Sequence, residues 1–308
     1  MELKMVTIER ILCPTNLSPE SDEALRYGVA LARAYNGKLL LMYCGEAAPA
    51  SSGFVHNGPS KQIEGLFKPG LARHLGLTDF TKLDWEGIMI ENGEDVGDEI
   101  VREAAERRVD LIVMRSRRRP RAAALLGSTA ERVFRTAPCP VLILHPQEQE
   151  WVSTTTGEID LRRVLVAYDF STDSELALRY GLSLSQEFQA ELHLIHVLAR
   201  AETDGREIAW GPGSVEGAYH VAARRLQQSV PEEPYLWCKR IVHTVRWGKP
   251  YQEVLSYAKG QEIDLICMGA SGRNFSMGAL FGSNVDRVLR QAPCPVLVTR
   301  PLRPSVPV

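Results

Sequence analysis

Short apolar runs alternate with longer amphipathic segments along the whole chain. Between the runs apolar residues recur four apart, as Leu176, Tyr180 and Leu184 do, and this spacing predicts helices with one buried face. Runs that are apolar on both faces and are separated by helices predict a parallel sheet covered on both sides. The second half has five such runs, VLVAYD at 164–169, ELHLIHV at 191–197, IVHTVRW at 241–247, DLICMG at 264–269 and PVLVTR at 295–300.

The same pattern occurs twice in the chain. RILCPTNLSPESDEALRYGVALA from Arg10 aligns with RVLVAYDFSTDSELALRYGLSLS from Arg163, and GSTAERVFRTAPCPVLILHP from Gly127 aligns with GSNVDRVLRQAPCPVLVTRP from Gly282. The aligned residues stay about half the chain apart, which indicates one duplicated domain rather than a solenoid of short repeats. We therefore predict two doubly wound α/β domains, residues 1–147 and 160–308, joined by a polar linker at 147–160.

Composition limits the functions that this fold could carry. The 308 residues have a formal net charge of −2, so the molecule as a whole is not a binder of polyanions. No stretch reaches the ~20 apolar residues that span a bilayer, and the first residues lack the apolar core of a secretory leader. The six cysteines are spread out with no C-x-x-C pair. We expect a soluble cytoplasmic protein with buried free thiols and no metal site.

Glycines follow the fourth run of the second half at a regular spacing. Gly269 and Gly272 come first, and Gly282 follows after nine further residues, with Ser283 next to it. Glycines between a strand and a helix let the backbone approach a phosphate, and Gly-Ser at a helix start offers N–H groups and a hydroxyl. The pattern indicates a nucleotide phosphate site, although turns and helix caps alone also use glycine. It matches neither a P-loop nor a dinucleotide fingerprint, and Arg273 stands where G-x-S-x-G needs glycine.

The spacing Gly-x2-Gly-x9-Gly-Ser, an aspartate after the first strand and the APCPVLV segment resemble the universal stress protein family in its tandem form. The resemblance covers both halves almost end to end. It implies the fold of the adenine nucleotide alpha hydrolase-like proteins, with a five-stranded parallel sheet per domain. In the ATP-binding branch of the family it also implies an adenine nucleotide at the strand ends.

The resemblance assigns roles to residues of the second half. Ala167, Tyr168 and Asp169 would line the adenosine side, where the Asp169 carboxylate would accept a hydrogen bond from the ribose or the base. Val197 would pack on the adenine. The phosphates of ATP, with or without Mg, would contact Gly269, Gly272, Gly282, Ser283 and Asn284, with added charge from Arg273.

The first half departs from this pattern. The segment RSRRRPR at 115–121 puts Arg115 and Arg118 at the two glycine positions, and Asn16 stands where the second half has Asp169. Side chains at glycine positions would occupy the space that phosphates need, so we expect no ATP binding of the usual kind. The arginines then belong either to the loop of a lost site or to a site for another anion. The first alternative is favoured because charge runs usually form solvated surfaces.

No acid, base and nucleophile converge in the sequence, and no residue is placed to position water for attack on ATP. We therefore expect a regulatory protein of the stress response that binds ATP in its second domain, with slow hydrolysis at most. Two alternatives stay open: a scaffold of the same fold that binds no nucleotide, and an anion or nucleic-acid binder that uses 115–121. The resemblance places the last strand of each domain, PVLIL at 140–144 and PVLVT at 295–299, at the sheet edge where relatives pair two domains, so we expect these two strands to pair within the chain. Two chains would then form a homodimer through other surfaces. The partner that it would regulate is not identifiable from the sequence.

Overall fold

A computed structural model describes residues 6–45, 61–75, 83–91, 95–116, 127–145, 150–198, 212–232, 234, 237–271 and 282–300. The chain forms two compact units. The first unit contains residues 7–160, with which 302–308 are grouped, and the second contains residues 161–301, with which 1–6 are grouped.

The first unit alternates strands and helices in the order that the sequence predicts. Its elements are β1 Arg10–Thr15, α1 Pro19–Ala34, β2 Lys38–Gly45, α2 Lys61–Leu75, β3 Trp85–Glu91, α3 Val96–Glu106, β4 Leu111–Arg115, α4 Ser128–Thr136 and β5 Val141–Leu144. The strands are parallel and lie in the order β3-β2-β1-β4-β5.

The second unit repeats this arrangement. Its elements are β6 Arg163–Ala167, α5 Thr172–Glu187, β7 Glu191–Leu198, α6 Pro212–Gln228, β8 Arg240–Trp247, α7 Pro250–Gly260, β9 Leu265–Gly269, α8 Ser283–Gln291 and β10 Val296–Thr299. The order is β8-β7-β6-β9-β10, again parallel. The predicted α/β fold with five parallel strands per half is confirmed. In both units strand order reverses beside the first strand, where such sheets bind ligands at their carboxyl ends.

Apolar strands and capped helices explain this architecture. In β6 the residues Val164, Leu165 and Val166 are completely buried, as expected for a strand covered on both faces. Ser171 caps α5 by accepting a hydrogen bond from the Ser174 backbone, and the Ser174 side chain returns the bond in a capping box. The predicted first strand of this half ends two residues early, at Ala167, because the turn into α5 begins there.

An aspartate ties the first strand to the fourth in each unit, and the one in the second unit, Asp264, is buried. In the second unit, Asp264 Oδ2 accepts hydrogen bonds from the backbone N–H groups of Arg162 and Arg163 at 2.9 and 2.8 Å. In the first unit, Asp110 Oδ2 accepts the corresponding pair of bonds at 2.9 Å. Burial raises the pKa of Asp264, although the two N–H bonds act in the opposite direction. The carboxylate satisfies two backbone donors at the start of the central strand.

The segment predicted as a polar linker includes a folded part. Trp151 and Val152 are buried, and Val152 forms an antiparallel bridge with Ile159. The Ser and Thr residues that suggested a linker lie in the intervening turn, whereas Trp151 packs on α1 through Tyr27. Residues 150–160 are therefore a structured part of the first unit.

Two expectations about composition can be compared with the described residues. Cys13, Cys139, Cys238, Cys267 and Cys294 are buried thiols outside any disulfide, as predicted, and burial raises the pKa of the Cys13 thiol to about 12. In the described part of the chain, none of the helices has the length and apolar character needed to cross a membrane.

The hydrogen bonds that Asp264 accepts should stabilise the second unit. Replacing Asp264 with Ala leaves two N–H groups without their acceptor, so we expect the free energy of unfolding to fall by about 1–3 kcal/mol at pH 7. Asp264→Asn keeps an acceptor oxygen and removes the buried charge, so it should cost much less. Urea unfolding of both variants measures the difference, and equal losses would contradict the role of the oxygen.

Comparison of the parent with Asp264→Asn at different pH values tests the pKa of Asp264. A carboxyl whose folded-state pKa is raised contributes stability that is fully present below its unfolded pKa, about 3.9, and is lost as pH rises through the folded pKa. The stability of the parent relative to Asp264→Asn should therefore fall as pH rises from about 4 towards 7. A constant difference across this range would mean that the pKa of Asp264 is not raised.

Candidate functional site

Asp169 lies at the carboxyl end of β6 in a tight turn. Its Oδ1 accepts hydrogen bonds from the Ser171 backbone N–H at 3.0 Å and from the Ser171 hydroxyl at 2.5 Å. Phe170 between them has a φ of 64°, which a residue other than glycine adopts only when its surroundings hold it there. The turn thereby fixes a half-buried carboxylate next to the strand end.

Gly269 ends β9 where α5 comes closest to the sheet. A Cβ at this position would lie 2.6 Å from the backbone carbon of Asp173 and 2.8 Å from the nitrogen of Ser174. The sequence pattern indicated phosphate binding for this glycine, with a turn or a helix cap as the alternative, and did not indicate a contact with α5. Contact with α5 requires a glycine here whether or not a ligand binds, so a phosphate contact at Gly269 stays a prediction.

Asp173 connects the first turn of α5 to the ends of two strands. Its Oδ2 accepts a hydrogen bond from the Ser271 backbone N–H at 2.9 Å, and its carbonyl oxygen accepts one from Thr299 Oγ1 at 3.1 Å. By its position in the sequence alone, Asp173 is an acidic residue in the first turn of a helix, where it favours the helix dipole. Its partners lie 98 and 126 residues away, and nothing in the local sequence indicates them.

The N-terminus of α8 lies beside the end of β9. Gly282 is the N-cap, and its backbone N–H donates to the carbonyl oxygen of Ala270 at 3.3 Å. Within the described residues no side chain caps this helix, whereas α1, α3 and α5 each have a capping side chain. Ser283 and Asn284 belong to the first turn of this helix, whose N-terminal N–H groups carry the partial positive charge that favours an anion. Gly272 and Arg273 lie outside the described residues.

Ala167 and Val197 share one face of the sheet. Ala167 is in register with Ile195, and side chains two apart on a strand point to the same face. His193, on the same face again, contacts Tyr257 of α7 through a 2.8 Å hydrogen bond. Both candidate adenosine residues are half-buried, and they point to the side of the sheet that carries α7.

Tyr168 points to the other side, which corrects its assignment. Its hydroxyl donates to Glu175 Oε2 of α5 at 2.5 Å, and only 6% of the residue is exposed. Burial, together with the hydrogen bond to Glu175, raises the pKa of Tyr168 to about 12. The Tyr168 backbone N–H still donates to the carbonyl oxygen of Ile195 on β7, so its side chain points to the face opposite that of Ala167, as alternation along a strand requires. The side chain of Tyr168 therefore does not line the face formed by Ala167 and Val197.

An aromatic cluster that sequence reasoning missed occupies this second face. The Phe170 ring lies 4.6 Å from the His196 ring and 4.0 Å from the guanidinium carbon of Arg225 on α6. His196 Nδ1 lies 2.7 Å from the carbonyl oxygen of Tyr168, which can only accept, so Nδ1 carries the proton. His193 and His196 thus lie on opposite faces, as their spacing predicts, and both are buried packing residues.

In the first unit, the position that corresponds to Gly269 is Arg115, and this residue forms an ion pair. Arg115 Nε, at the end of β4, lies 2.8 Å from Glu23 Oε2 of α1, with 15% and 16% of the side chains exposed. Burial raises the pKa of Glu23, and the nearby carboxylate of Glu150 adds to this, while Arg115 opposes it. Arg115 is therefore an internal partner rather than part of a solvated surface. The rest of the arginine segment, 117–121, lies outside the described residues.

The turn after β1 resembles the turn after β6. The Ser18 backbone N–H donates to Asn16 Oδ1 at 3.2 Å, and Leu17 between them has a φ of 61°. An amide in the first unit thus forms the turn that a carboxylate forms in the second. The difference between Asn16 and Asp169 is one of charge rather than of backbone geometry.

Comparison with known proteins gives the family of both halves. The family model for the universal stress protein family matches residues 7–145 and 160–300. Universal stress protein Rv2623 of Mycobacterium tuberculosis is 30% identical over 179 residues, a match that spans 57% of this chain and 56% of that protein. Universal stress protein MJ0531 of Methanocaldococcus jannaschii is 26% identical over 151 residues, 47% of this chain and 85% of the relative.

Solved structures agree with the fold of the whole chain. A universal stress protein from Archaeoglobus fulgidus aligns with a TM-score of 0.60 and 22% identity, over 94% of this chain and 98% of that one. PA1789 from Pseudomonas aeruginosa, described as functionally unknown, aligns with a TM-score of 0.67 and 18% identity, over 96% of this chain and 93% of the other. At these identities the likeness concerns the fold.

The ion pair of the first unit can be tested by a double-mutant cycle. Arg115→Met leaves the partly buried Glu23 carboxylate without its partner. Glu23→Leu leaves the partly buried Arg115 guanidinium without its partner. The double variant, which carries at position 23 the leucine that the second unit has at Leu176, removes both charges together. We expect a coupling of about 1–3 kcal/mol in the free energy of unfolding, measured by urea titration. Additive single effects would show that the two charges do not interact.

Proposed function

The chain belongs to the universal stress protein family, and from this premise we propose that its second domain binds an adenine nucleotide, with ATP as the expected ligand. The two family matches fall on the two halves, so the chain carries two domains of the family in tandem. In this proposal the protein is a regulatory member of the stress response. It reports the presence of the nucleotide to a partner protein.

The N-terminus of α8 is the observation that carries the proposal. Among the residues that the structure describes, no side chain caps it, and the bond from Gly282 to Ala270 holds it at the end of β9. A helix N-terminus of this kind favours phosphate oxygens through its N–H groups and its dipole. Ser283 and Asn284 would contact the phosphates, and Gly272 and Arg273 remain proposed contacts on sequence grounds.

The adenosine side has the mixed character that a nucleoside needs. Ala167 and Val197 offer half-buried apolar surface on one face of the sheet, and Asp169 supplies a fixed acceptor at the same strand end. Purine rings pack on apolar side chains, and ribose hydroxyls donate hydrogen bonds to carboxylates. These three residues support the adenosine end of the proposed site, without the side chain of Tyr168.

A metal ion would depend on the nucleotide. Among the described residues no group of three or more His, Cys, Asp or Glu side chains could hold one. Mg²⁺ is usually bound through substrate phosphates, one or two carboxylates and water. An ion that accompanies ATP would therefore be held mainly by the phosphates.

We propose no usual ATP site in the first domain. Arg115 replaces the glycine at the end of β4 and is paired with Glu23, and Asn16 brings no charge to the strand end. The proposal is accordingly one nucleotide per chain. Slow hydrolysis at most, a homodimer and a cytoplasmic location remain predictions from sequence and resemblance.

Asp169→Asn tests the adenosine side of the site. Because Asn16 forms the same turn in the first unit, an amide at 169 should preserve the turn while removing the charge. The amide oxygen of Asn still accepts a hydrogen bond, but a bond to a charged acceptor is worth about 1.5–3 kcal/mol against about 0.5–1.5 kcal/mol for a neutral one, so we expect ATP affinity to fall about fivefold in calorimetric titration. A folded variant that binds ATP like the parent would contradict the assignment of Asp169.

Ser283→Glu tests the phosphate side independently of stability. Both Ser283 and its counterpart Ser128 are exposed first residues of uncapped helices, α8 and α4. A carboxylate there favours the helix dipole by about 0.3–1 kcal/mol but repels phosphate, so it should weaken ATP binding without unfolding the domain.

The matched control is Ser128→Glu, which places the same charge in the first domain. It should leave both the affinity for ATP and the stoichiometry of one per chain unchanged. Loss of half the sites in this control, or two equivalent sites in the parent, would contradict the single-site proposal. No ATP binding in the parent would favour a scaffold of the same fold.

A further inference from the structure

Arg26 of α1 holds the 150–160 segment on the first unit. One nitrogen of its guanidinium, Nη1, lies 2.9 Å from Glu150 Oε2 and 2.9 Å from the carbonyl oxygen of Val152. Only 4% of Arg26 is exposed, because the segment covers it. A carboxylate and a backbone carbonyl thus both accept from one arginine.

Tyr27, the next residue of α1, contacts the residue between them. The Trp151 backbone N–H donates to the Tyr27 hydroxyl at 3.2 Å, and the two rings meet edge to face with centroids 4.7 Å apart. Both residues are almost completely buried. Val152 then forms an antiparallel bridge with Ile159. The Arg-Tyr pair of α1 therefore binds an extended Glu-Trp-Val sequence.

The second unit carries the same pair on the same helix. ALRYG at 177–181 is identical to ALRYG at 24–28, so Arg179 and Tyr180 of α5 correspond to Arg26 and Tyr27. Arg179 is exposed and Tyr180 is half-buried. On α1 the Arg-Tyr pair is covered by residues 150–152. On α5 the arginine of the corresponding pair, Arg179, is exposed to solvent.

Both side chains of α1 that hold residues 150–152 therefore have counterparts on α5. Ser183, one helical turn after Arg179, is already bonded within the chain, since it accepts a hydrogen bond from the Val6 backbone N–H at 3.1 Å. We call Arg179 and Tyr180 together the α5 face.

We propose that the α5 face is an interaction surface for an extended acidic–aromatic segment of a partner protein, of the type Glu-Trp-Val. The carboxylate and the last carbonyl oxygen of that segment both accept from Arg179, as Glu150 and Val152 do from Arg26, and its aromatic residue packs on Tyr180. The tyrosine oxygen has two acceptor lone pairs, so it accepts the peptide N–H alongside any other bond that it makes.

Charge and occupancy both argue for a separate protein as the source. The cationic Arg179 complements an acidic residue, as Arg26 does with Glu150. The chain's own Glu-Trp-Val is already bound on α1, where Trp151 is 2% exposed. The proposal is independent of nucleotide binding, since none of its residues belongs to the proposed ATP site.

A peptide titration tests the proposal on the full chain. The probe is a fluorescently labelled peptide of sequence EWVSTT, copied from residues 150–155. We expect saturable binding that Arg179→Ala weakens at least about tenfold and Tyr180→Phe about threefold, since each removes one polar partner. Peptides with Gln for Glu, or Ala for Trp, should bind correspondingly less. Thermal unfolding of Arg179→Ala should match that of the parent because the side chain is exposed.

Three results would overturn the proposal. A scrambled peptide that binds as tightly as EWVSTT would show that recognition is not specific. Binding that Arg26→Ala changes and Arg179→Ala does not would place the peptide on α1, where it displaces residues 150–152. Concentration-dependent self-association that Arg179→Ala abolishes, measured by light scattering, would mean that the occupant is the same segment of a second copy.

Discussion

The close contact between α5 and its sheet is the constraint on which the second unit depends. A Cβ at Gly181 would lie 2.5 Å from Val166 Cγ2, and a Cβ at Gly269 would lie 2.6 Å from Asp173. Neither position has room for a side chain, so two glycines let the helix lie directly on the strands. This contact brings the first turn of α5 to the ends of β9 and β10, where Asp173 accepts its two long-range hydrogen bonds. The geometry around Asp169 follows from it.

The same interface explains how the two units differ. In the first unit Arg115 takes the place of Gly269, and its side chain reaches Glu23 on the helix. Neither member of the ion pair is present in the second unit, where Gly269 corresponds to Arg115 and Leu176 corresponds to Glu23. A comparison of the two halves could therefore have indicated the ion pair before the structure did. Inspection of the arginine segment by itself could not, because a charged run resembles any solvated loop.

The fold was predictable because each strand is a separate apolar run and the pattern occurs twice. The resemblance assigned Ala167 and Tyr168 to the same side of the site, although adjacent residues of a strand point to opposite faces, and Tyr168 packs on α5 instead of facing Val197. Strand alternation could therefore have separated these two side chains. Contacts across the fold were inaccessible from the sequence, as for Phe170 with Arg225, since the two residues belong to different elements. The polar composition of 150–160 suggested a linker, but burial of Trp151 makes this segment part of the folded first unit.

The aspartate bonds at the amino end of the sheet have a consequence for biosynthesis. Asp110 accepts its hydrogen bonds from residues 100 and 101 positions earlier, so the central strand of the first unit cannot complete its pairing until β4 has been made. At about 5–20 residues per second, the ribosome needs roughly 5–20 s to make that stretch, during which β1 waits without β4. Contacts of such sequence separation make folding slow and leave strand edges exposed in the nascent chain. Cotranslational folding of this protein is therefore timed by the fourth strand of each repeat rather than by the first.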